Sequence, residues 1–199
     1  MKDVPRQDRQ SRLDQVNYLK GRIAEAFVEA IFRRAGYLVS RVGRESQLHR
    51  LIKVGRDEFL PDFLLRKQVG REKSDRPLHR LVPVEVKYRW DVAGFLRRHG
   101  KELFEKVSQQ WPDLCFVFVT DNPAPGRSCF QLIDLWHGEA VDSRDLQTVA
   151  ELDIYETTVQ EYEALVRQIF PLLERRNMPA DAPIATDGSA EEASSRAEY

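Results

Sequence analysis

The sequence predicts an α/β domain in which helices cover the faces of a central mixed sheet. Near both ends of the chain, apolar residues recur at three- and four-residue steps, which is typical of amphipathic helices. Short runs rich in valine, leucine and phenylalanine lie between them and are typical of strands. Their order is a helix, three strands, a helix, two strands and a final helix. Three successive strands followed by a helix and a return strand favour a mixed sheet with helices on its faces.

The first predicted helix covers residues 13–35, where Gly36 supplies a C-terminal stop. Its apolar positions are Val16, Leu19, Ile23, Phe27, Ala30, Ile31 and Ala35. Residues 1–12 are polar without apolar spacing, and we expect them to be flexible. Gly21 weakens a helix by about 1 kcal/mol relative to alanine, so it suggests that another part of the molecule approaches there.

Three strands are predicted next, over residues 37–41, 59–66 and 81–88. Pro61 indicates the beginning of a strand or a sheet edge, because proline lacks the N–H that a ladder needs. Residues 43–57 are a basic loop or contain a short strand. Residues 67–80 are a basic exposed loop or a hairpin connection.

The second half begins with a helix over residues 93–111, which Gly100 interrupts. Residues 114–120 are apolar on both faces, as in a central strand. A fifth strand over residues 130–136 and a terminal helix over residues 159–173 follow. Residues 177–199 are rich in Ala, Ser, Asp and Glu and are expected to be a disordered acidic tail. The predicted organisation is therefore a flexible terminus (1–12), one domain (13–176) and this tail.

Composition favours a soluble protein of the cytoplasm. Of the 199 residues, 42% are hydrophobic and 32% charged, and no apolar run approaches the roughly 20 residues that span a bilayer. No secretory signal is visible, and two cysteines form neither a disulfide framework nor a metal-ligand spacing. Glycine-rich phosphate loops and Ser or Cys nucleophile motifs are absent. We therefore expect no membrane contact and no nucleotide cofactor.

Charge is unevenly distributed along the chain. Residues 1–111 contain 25 Lys and Arg against 15 Asp and Glu, whereas residues 112–199 contain 6 against 17. The overall net charge of −1 hides this difference. A basic first half is compatible with phosphate contacts, although many such charges simply form a solvated surface.

One strand carries an unusual pair of charges. Val82, Val84 and Val86 alternate with Glu85 and Lys87, so the two charged side chains point to the same face. Charges on an apolar strand are costly without a partner or a function. The preceding strand carries Asp62. We expect the three charged residues to meet at one edge of the sheet and to hold a divalent metal against a phosphodiester. The alternative is a structural ion pair.

These residues resemble the PD-(D/E)xK nuclease superfamily. The resemblance rests on Pro61-Asp62, on Glu85-Val86-Lys87 and on Glu25 in the first helix. It implies a restriction-endonuclease-like fold with an αβββαβ core, here with an additional C-terminal helix. Within the superfamily the chain looks most like small nucleases related to Holliday junction resolvases and standalone endonucleases. The gap of 22 residues between Asp62 and Glu85 is long for the family and requires a loop or hairpin extension.

The resemblance also implies a role for each residue. Asp62 and Glu85 are expected to bind Mg²⁺, with Mn²⁺ able to substitute, and the backbone carbonyl of Val86 adds a third ligand. Lys87 is expected to hold the attacking water and stabilise the transition state. Glu25 assists through a metal-bound water or a second ion. Its alternative is a surface ion pair with a neighbouring arginine.

Residues outside the motif complete the predicted site. Gln109 is expected to orient water or phosphate, with Lys106 and Gln110 as alternatives. Phosphate contacts are predicted for six basic residues: Arg44, Arg50, Lys53, Arg66, Lys67 and Arg89. Trp90 is able to stack on a base, although core packing or anchoring of the strand end is the more usual role.

The predicted function is that of a Mg²⁺-dependent endonuclease acting on DNA, with RNA left open as a substrate. Nucleases of this kind often dimerise to cut two strands, which makes a homodimer a further expectation. One alternative is a non-catalytic module of the same fold that binds nucleic acid or a protein. Another is a structural or regulatory protein whose acidic tail binds a basic partner.

Overall fold

The computed structural model describes residues 6–42, 59–72, 75–134 and 143–176. The main elements are, in chain order, α1 (Arg6–Arg34), β1 (Leu38–Arg41), β2 (Phe63–Arg71), β3 (Pro77–Tyr88), α2 (Val92–Phe95), a π-helical segment (Leu96–Gly100), α3 (Lys101–Ser108), β4 (Cys115–Val119), β5 (Phe130–Asp134), β6 (Arg144–Asp145) and α4 (Glu156–Arg176). Two short 3₁₀ turns (Leu146–Thr148 and Ala150–Leu152) join β6 to α4.

The strands form one six-stranded mixed sheet, and their order across the sheet is their order along the chain. Neighbouring strands are antiparallel except for β3 and β4, which are parallel and are joined by the helical segment α2–α3. A parallel pair needs such a crossover because its strands begin at the same end of the sheet. The predicted α/β class, with helices beside a mixed sheet and a C-terminal helix, is confirmed.

Helix α1 begins at Arg6, seven residues before the predicted start at residue 13. Residues 6–12 include several arginines and glutamines and no glycine or proline, and such residues extend a helix readily. The helix ends as predicted. Gly36 adopts a positive φ of 83°, and its N–H and that of Tyr37 bond to carbonyls of the last turn.

The buried stripe of α1 agrees with the predicted stripe at its two ends, at Val16, Ile31 and Ala35, but is displaced by one residue between them. Ala24, Val28 and Ile31 are buried, whereas Leu19 is exposed and Ile23 only partly buried. Gly21 has open space where a side chain would begin, so the close approach inferred from it was wrong. The residue that occupies the buried stripe in this part of the helix is Lys20.

Strands β2 and β3 form a long hairpin, which resolves the alternatives for residues 67–80. The pairing extends from Phe63 opposite Val84 to Arg71 opposite Pro77, with a register shift between Gln68 and Gly70. The strand predicted to begin at residue 59 begins at Phe63 instead. Its upstream segment bonds to the end of α3.

The contacts of Phe59 explain this late start. Its N–H donates to the side chain of Gln110 at 2.9 Å, and its carbonyl accepts from the indole of Trp111 at 2.9 Å. The backbone at Phe59 is therefore tied to the helix end rather than to a sheet ladder. Asp62 lies between this anchor and the first paired residue of β2.

The crossover helix is less regular than predicted. A π-helical segment ends at Gly100, where a side chain would meet the ring of Phe104 at 3.3 Å. Glycine therefore allows the chain to pass close to that ring. The helix ends at Ser108, three residues before the predicted end.

Two apolar clusters lie on opposite faces of the sheet. On one face, α1 and α4 pack on residues such as Phe63, Val84 and Val117. On the other, α2–α3 pack on Phe116 and Phe118 of β4. Strand β4 is buried throughout, as predicted for a central strand. Among the described residues, no helix combines the length and apolar character needed to cross a membrane.

Candidate functional site

Asp62, Glu85 and Lys87 project to one face at the end of the β2–β3 ladder. Strands β2 and β3 are neighbours, as the predicted site required. The pairing of Phe63 with Val84 is the last of the ladder, and both side chains belong to the core beneath α1. Because side chains alternate along a strand, Asp62 and Glu85 lie on the opposite face. We call Asp62, Glu85 and Lys87 the carboxylate cluster.

Direct contacts hold this cluster together. The backbone N–H of Val86 donates to Oδ2 of Asp62 at 2.8 Å. The ammonium of Lys87 forms an ion pair with Oε1 of Glu85. The Glu85 side chain is buried, whereas that of Lys87 is 30% exposed. The lysine therefore links a buried carboxylate to solvent.

Glu85 is the perturbed group of the cluster. Burial raises the pKa of Glu85 to about 7, the Lys87 ammonium opposes this rise, and the nearby Asp62 carboxylate reinforces it. Its Oε2 atom is buried without a hydrogen-bond partner. A buried carboxylate oxygen lacking a partner is costly, and a proton or a cation would remove that cost.

The donor set fits a hard divalent cation. Two carboxylates and backbone oxygen are the ligands that Mg²⁺ prefers, with water completing its shell. The N–H of Val86 points to the side of β2, so its carbonyl faces the same side, beyond the last ladder pair. Across the described parts of the chain, no three His, Cys, Asp or Glu side chains are grouped to hold a metal. Asp62 and Glu85 would therefore act as a pair.

The structure does not bring the other two predicted catalytic residues into contact with this pair. Glu25 lies on α1, which covers the opposite face of the sheet, and its carboxylate pairs with Arg22 at 2.9 Å. That ion pair is the alternative considered from the sequence. Gln109 is exposed at the end of α3, where the neighbouring Gln110 contacts Phe59.

Three of the six basic residues predicted to contact phosphate belong to the part of the chain that the structure describes. Arg44, Arg50 and Lys53 lie outside the described residues. Arg66 is exposed and shares the face of Asp62. Lys67 points to the other face, where it pairs with Asp153 at 2.9 Å and lies 5.0 Å from the centre of the Tyr37 ring.

Arg89, the sixth of these residues, is partly buried at the end of β3. It donates to the carbonyl of Tyr88 at 2.7 Å, and its guanidinium lies 4.5 Å from the centre of the Phe95 ring. Burial lowers the pKa of Arg89. Its contacts within the chain leave less of the guanidinium for a ligand than the sequence suggested.

A second charged cluster, missed by the sequence reasoning, lies on the reverse face of β3. Lys20 of α1 is fully buried, and its ammonium donates to Asp121 at 2.6 Å, Glu174 at 2.6 Å and the Tyr88 hydroxyl at 3.0 Å. The Tyr88 hydroxyl donates in turn to Asp121 at 2.9 Å. We call Lys20, Tyr88, Asp121 and Glu174 the lysine cluster.

The lysine cluster satisfies all three donors of its ammonium. Burial alone would lower the pKa of Lys20, but the hydrogen bonds to Asp121, Glu174 and Tyr88 outweigh it and raise the pKa. The ring of Phe170 adds a cation–π contact at 5.4 Å. The sequence contains one indication that Lys20 is buried. It lies four residues after Val16 and four residues before Ala24, and both of these are buried on the same side of the helix.

Comparison with protein-family models, with curated proteins and with solved structures gives no match for this chain.

Proposed function

We propose that this chain is a metal-dependent endonuclease that hydrolyses phosphodiester bonds in DNA. The observation that carries the proposal is the meeting of Asp62, Glu85 and Lys87 on one face, with a buried oxygen of Glu85 lacking a partner. An isolated structural ion pair would not need the second carboxylate. Two carboxylates and a lysine at a strand end are the chemistry that the PD-(D/E)xK resemblance implies.

Each residue of the cluster has a distinct role in the proposal. Asp62 and Glu85 hold Mg²⁺, and the Val86 backbone fixes the orientation of Asp62 through its N–H. When bound, Mg²⁺ neutralises charge on the phosphate and makes water easier to deprotonate near neutral pH. Lys87 is partly exposed, so its ammonium is able to turn from Glu85 towards the phosphate and stabilise negative charge there.

The element order adds support for a restriction-endonuclease-like fold. Helix α1, strands β1 to β3, the crossover α2–α3 and strand β4 follow the αβββαβ order that the resemblance implies. The β2–β3 hairpin accounts for the long gap between Asp62 and Glu85, because the added residues extend both strands together. We place the substrate at the end of the sheet where Asp62 and Glu85 come together.

The test is a cleavage panel with Mg²⁺ or Mn²⁺. Supercoiled plasmid, linear duplex, a four-way junction, single-stranded DNA and RNA are incubated with the wild type, Asp62→Asn and Lys87→Ala. We expect each variant to lower the cleavage rate by about 10²-fold or more, since Asp62→Asn weakens a ligand of the metal ion and Lys87→Ala removes the ammonium that stabilises developing charge. Circular dichroism and thermal unfolding check that both variants remain folded.

Two surface residues provide charge-matched controls. Glu105→Gln and Lys101→Ala remove one charge of each sign from the exposed side of α3, where these two residues pair with each other. We expect both to cleave like the wild type. Equal cleavage by the wild type, Asp62→Asn and Lys87→Ala would contradict the proposal.

The second candidate is a non-catalytic module of the same fold. It is favoured by the finding that the described residues contain only a pair of acids here, not a group of three. Tight, salt-dependent binding of nucleic acid without cleavage in either metal would support this candidate.

A further inference from the structure

Trp90 stands out in the part of the chain that the structure describes because its large aromatic side chain is 61% exposed and it lies close in sequence to the candidate site. It follows Lys87 by three residues, which places the two Cα atoms within about 10 Å of each other. Exposed tryptophans are uncommon, and they are enriched where proteins bind partners. The core role that is more usual for such a residue does not apply to Trp90.

The backbone that carries Trp90 is fixed on both sides. The N–H of Arg89 donates to the Val119 carbonyl at 3.0 Å, and the buried hydroxyl of Thr120 donates to the Trp90 carbonyl at 3.0 Å. Asp91 then caps α2 by accepting from Gly94 N–H at 2.8 Å. The backbone that supports the exposed indole is therefore held in place by hydrogen bonds and is not part of a free loop.

Gly94 shows how closely this support is packed. A side chain at that position would begin 1.7 Å from an oxygen of Asp91, so the cap requires glycine. The hydroxyl of Thr120 also accepts from the N–H of Asn122 at 3.0 Å, which ties the turn after β4 to the same point. A rigid aromatic surface loses little freedom when a ligand stacks on it.

We propose that Trp90 is a stacking platform for an unpaired base beside the bond to be cleaved. This rests on the proposed function and names its substrate class as nucleic acid with unpaired bases at the site: single strands, flaps or junctions. In a continuous duplex the bases stack on one another, and an indole reaches a base face only after that base has been unstacked. An unpaired base offers its face directly.

Binding measured without cleavage tests this inference. The probes are a fluorescein-labelled 20-nucleotide single strand, the matching duplex and a flap, mixed with the full chain in EDTA, and anisotropy reports the dissociation constant. We expect Trp90→Ala to weaken binding of the single strand and the flap by about 5- to 150-fold, as for loss of one stacked base. Duplex binding should change less than twofold.

Two further variants separate stacking from a general surface effect. Trp90→Phe keeps an aromatic face and should restore most of the lost affinity. Tyr155→Ala removes another exposed aromatic side chain, 59% exposed before α4, and should bind like the wild type. In Mg²⁺, Trp90→Ala should lose more cleavage of single strands and flaps than of duplex.

Several outcomes would overturn the inference while leaving the nuclease intact. These are unchanged single-strand binding in Trp90→Ala, or an equal loss for duplex and single strand. A third is a change of molar mass by light scattering with unchanged binding, which would assign Trp90 to a contact with a second copy. If the wild type neither binds nor cleaves any probe, the proposed function itself fails.

Discussion

Two charged clusters lie on opposite faces of β3, and they differ in whether their buried polar atoms have hydrogen-bond partners. The lysine cluster surrounds one buried ammonium with two carboxylates and a hydroxyl. The carboxylate cluster leaves Oε2 of Glu85 buried and without a partner. Consecutive residues, Lys87 and Tyr88, send their side chains to the two clusters. The satisfied cluster is expected to stabilise the fold, whereas in the proposed function the unsatisfied oxygen of Glu85 would be a ligand of the metal ion.

Breaking the lysine cluster should have the largest effect on stability. Lys20→Met removes the central ammonium and leaves Asp121 buried beside the Tyr88 hydroxyl. We expect the free energy of unfolding to fall by about 3–5 kcal/mol, as when one partner of a buried ion pair is lost. Urea denaturation followed by circular dichroism measures the change.

A double variant is the control for Lys20→Met. Adding Asp121→Asn removes the uncompensated carboxylate and should recover part of the lost stability. The side chain of Glu174 is 56% exposed, so it is able to turn towards water and needs no compensating substitution. A wild-type free energy of unfolding in Lys20→Met would mean that the cluster does not stabilise the fold.

In the carboxylate cluster, removing a buried charge should raise the free energy of unfolding instead of lowering it. Because the folded pKa of Glu85 is raised to about 7 from an ordinary value of 4.5, its contribution to stability is present below pH 4.5 and is lost as the pH rises through 7. Glu85→Gln stays neutral and avoids this loss. We expect it to be more stable than the wild type by about 1–3 kcal/mol at pH 8 and equal to it near pH 4.

Thermal unfolding at several pH values, without divalent metal, measures this difference. Adding 10 mM MgCl₂ at pH 8 should raise the Tm of the wild type more than that of Glu85→Gln, because an ion bound to the folded state stabilises it. A wild type more stable than Glu85→Gln across this pH range would show that the Glu85 carboxylate is well compensated in the folded chain.

Tyr88→Phe should have the smallest effect of the three. It removes the hydroxyl that accepts from Lys20 and donates to Asp121, and it keeps the ring that packs on Phe170. Lys20 retains both carboxylate partners. We expect a loss of about 1–2 kcal/mol in the free energy of unfolding, the usual cost of losing buried hydrogen bonds.

The pH dependence of stability serves as the internal control for Tyr88→Phe. The hydroxyl faces the lysine cluster, so the gain of Glu85→Gln at pH 8 should be the same in the Tyr88→Phe background. A changed gain would show that the two faces of β3 are energetically coupled. Urea denaturation of the four proteins at pH 4 and pH 8 provides the double-mutant cycle.

Residue periodicity was enough to predict the α/β class and the buried strands. The alternation of Val84 and Val86 with Glu85 and Lys87 fixes the two faces of β3, because side-chain direction in a strand follows from position alone. The two-sided apolar run of β4 likewise required a central strand. These features depend on neighbours in the chain, so they are visible without a structure.

Only the tertiary structure decided which distant residues meet. Lys20 bonds to Asp121 and Glu174, which are 101 and 154 positions away. The late start of β2 depends on the bonds of Phe59 to the end of α3. Whether Trp90 packs in the core or faces solvent depends likewise on what the rest of the chain covers. Periodicity determines which side of an element is apolar. Packing between elements determines which buried polar groups have hydrogen-bond partners and which do not.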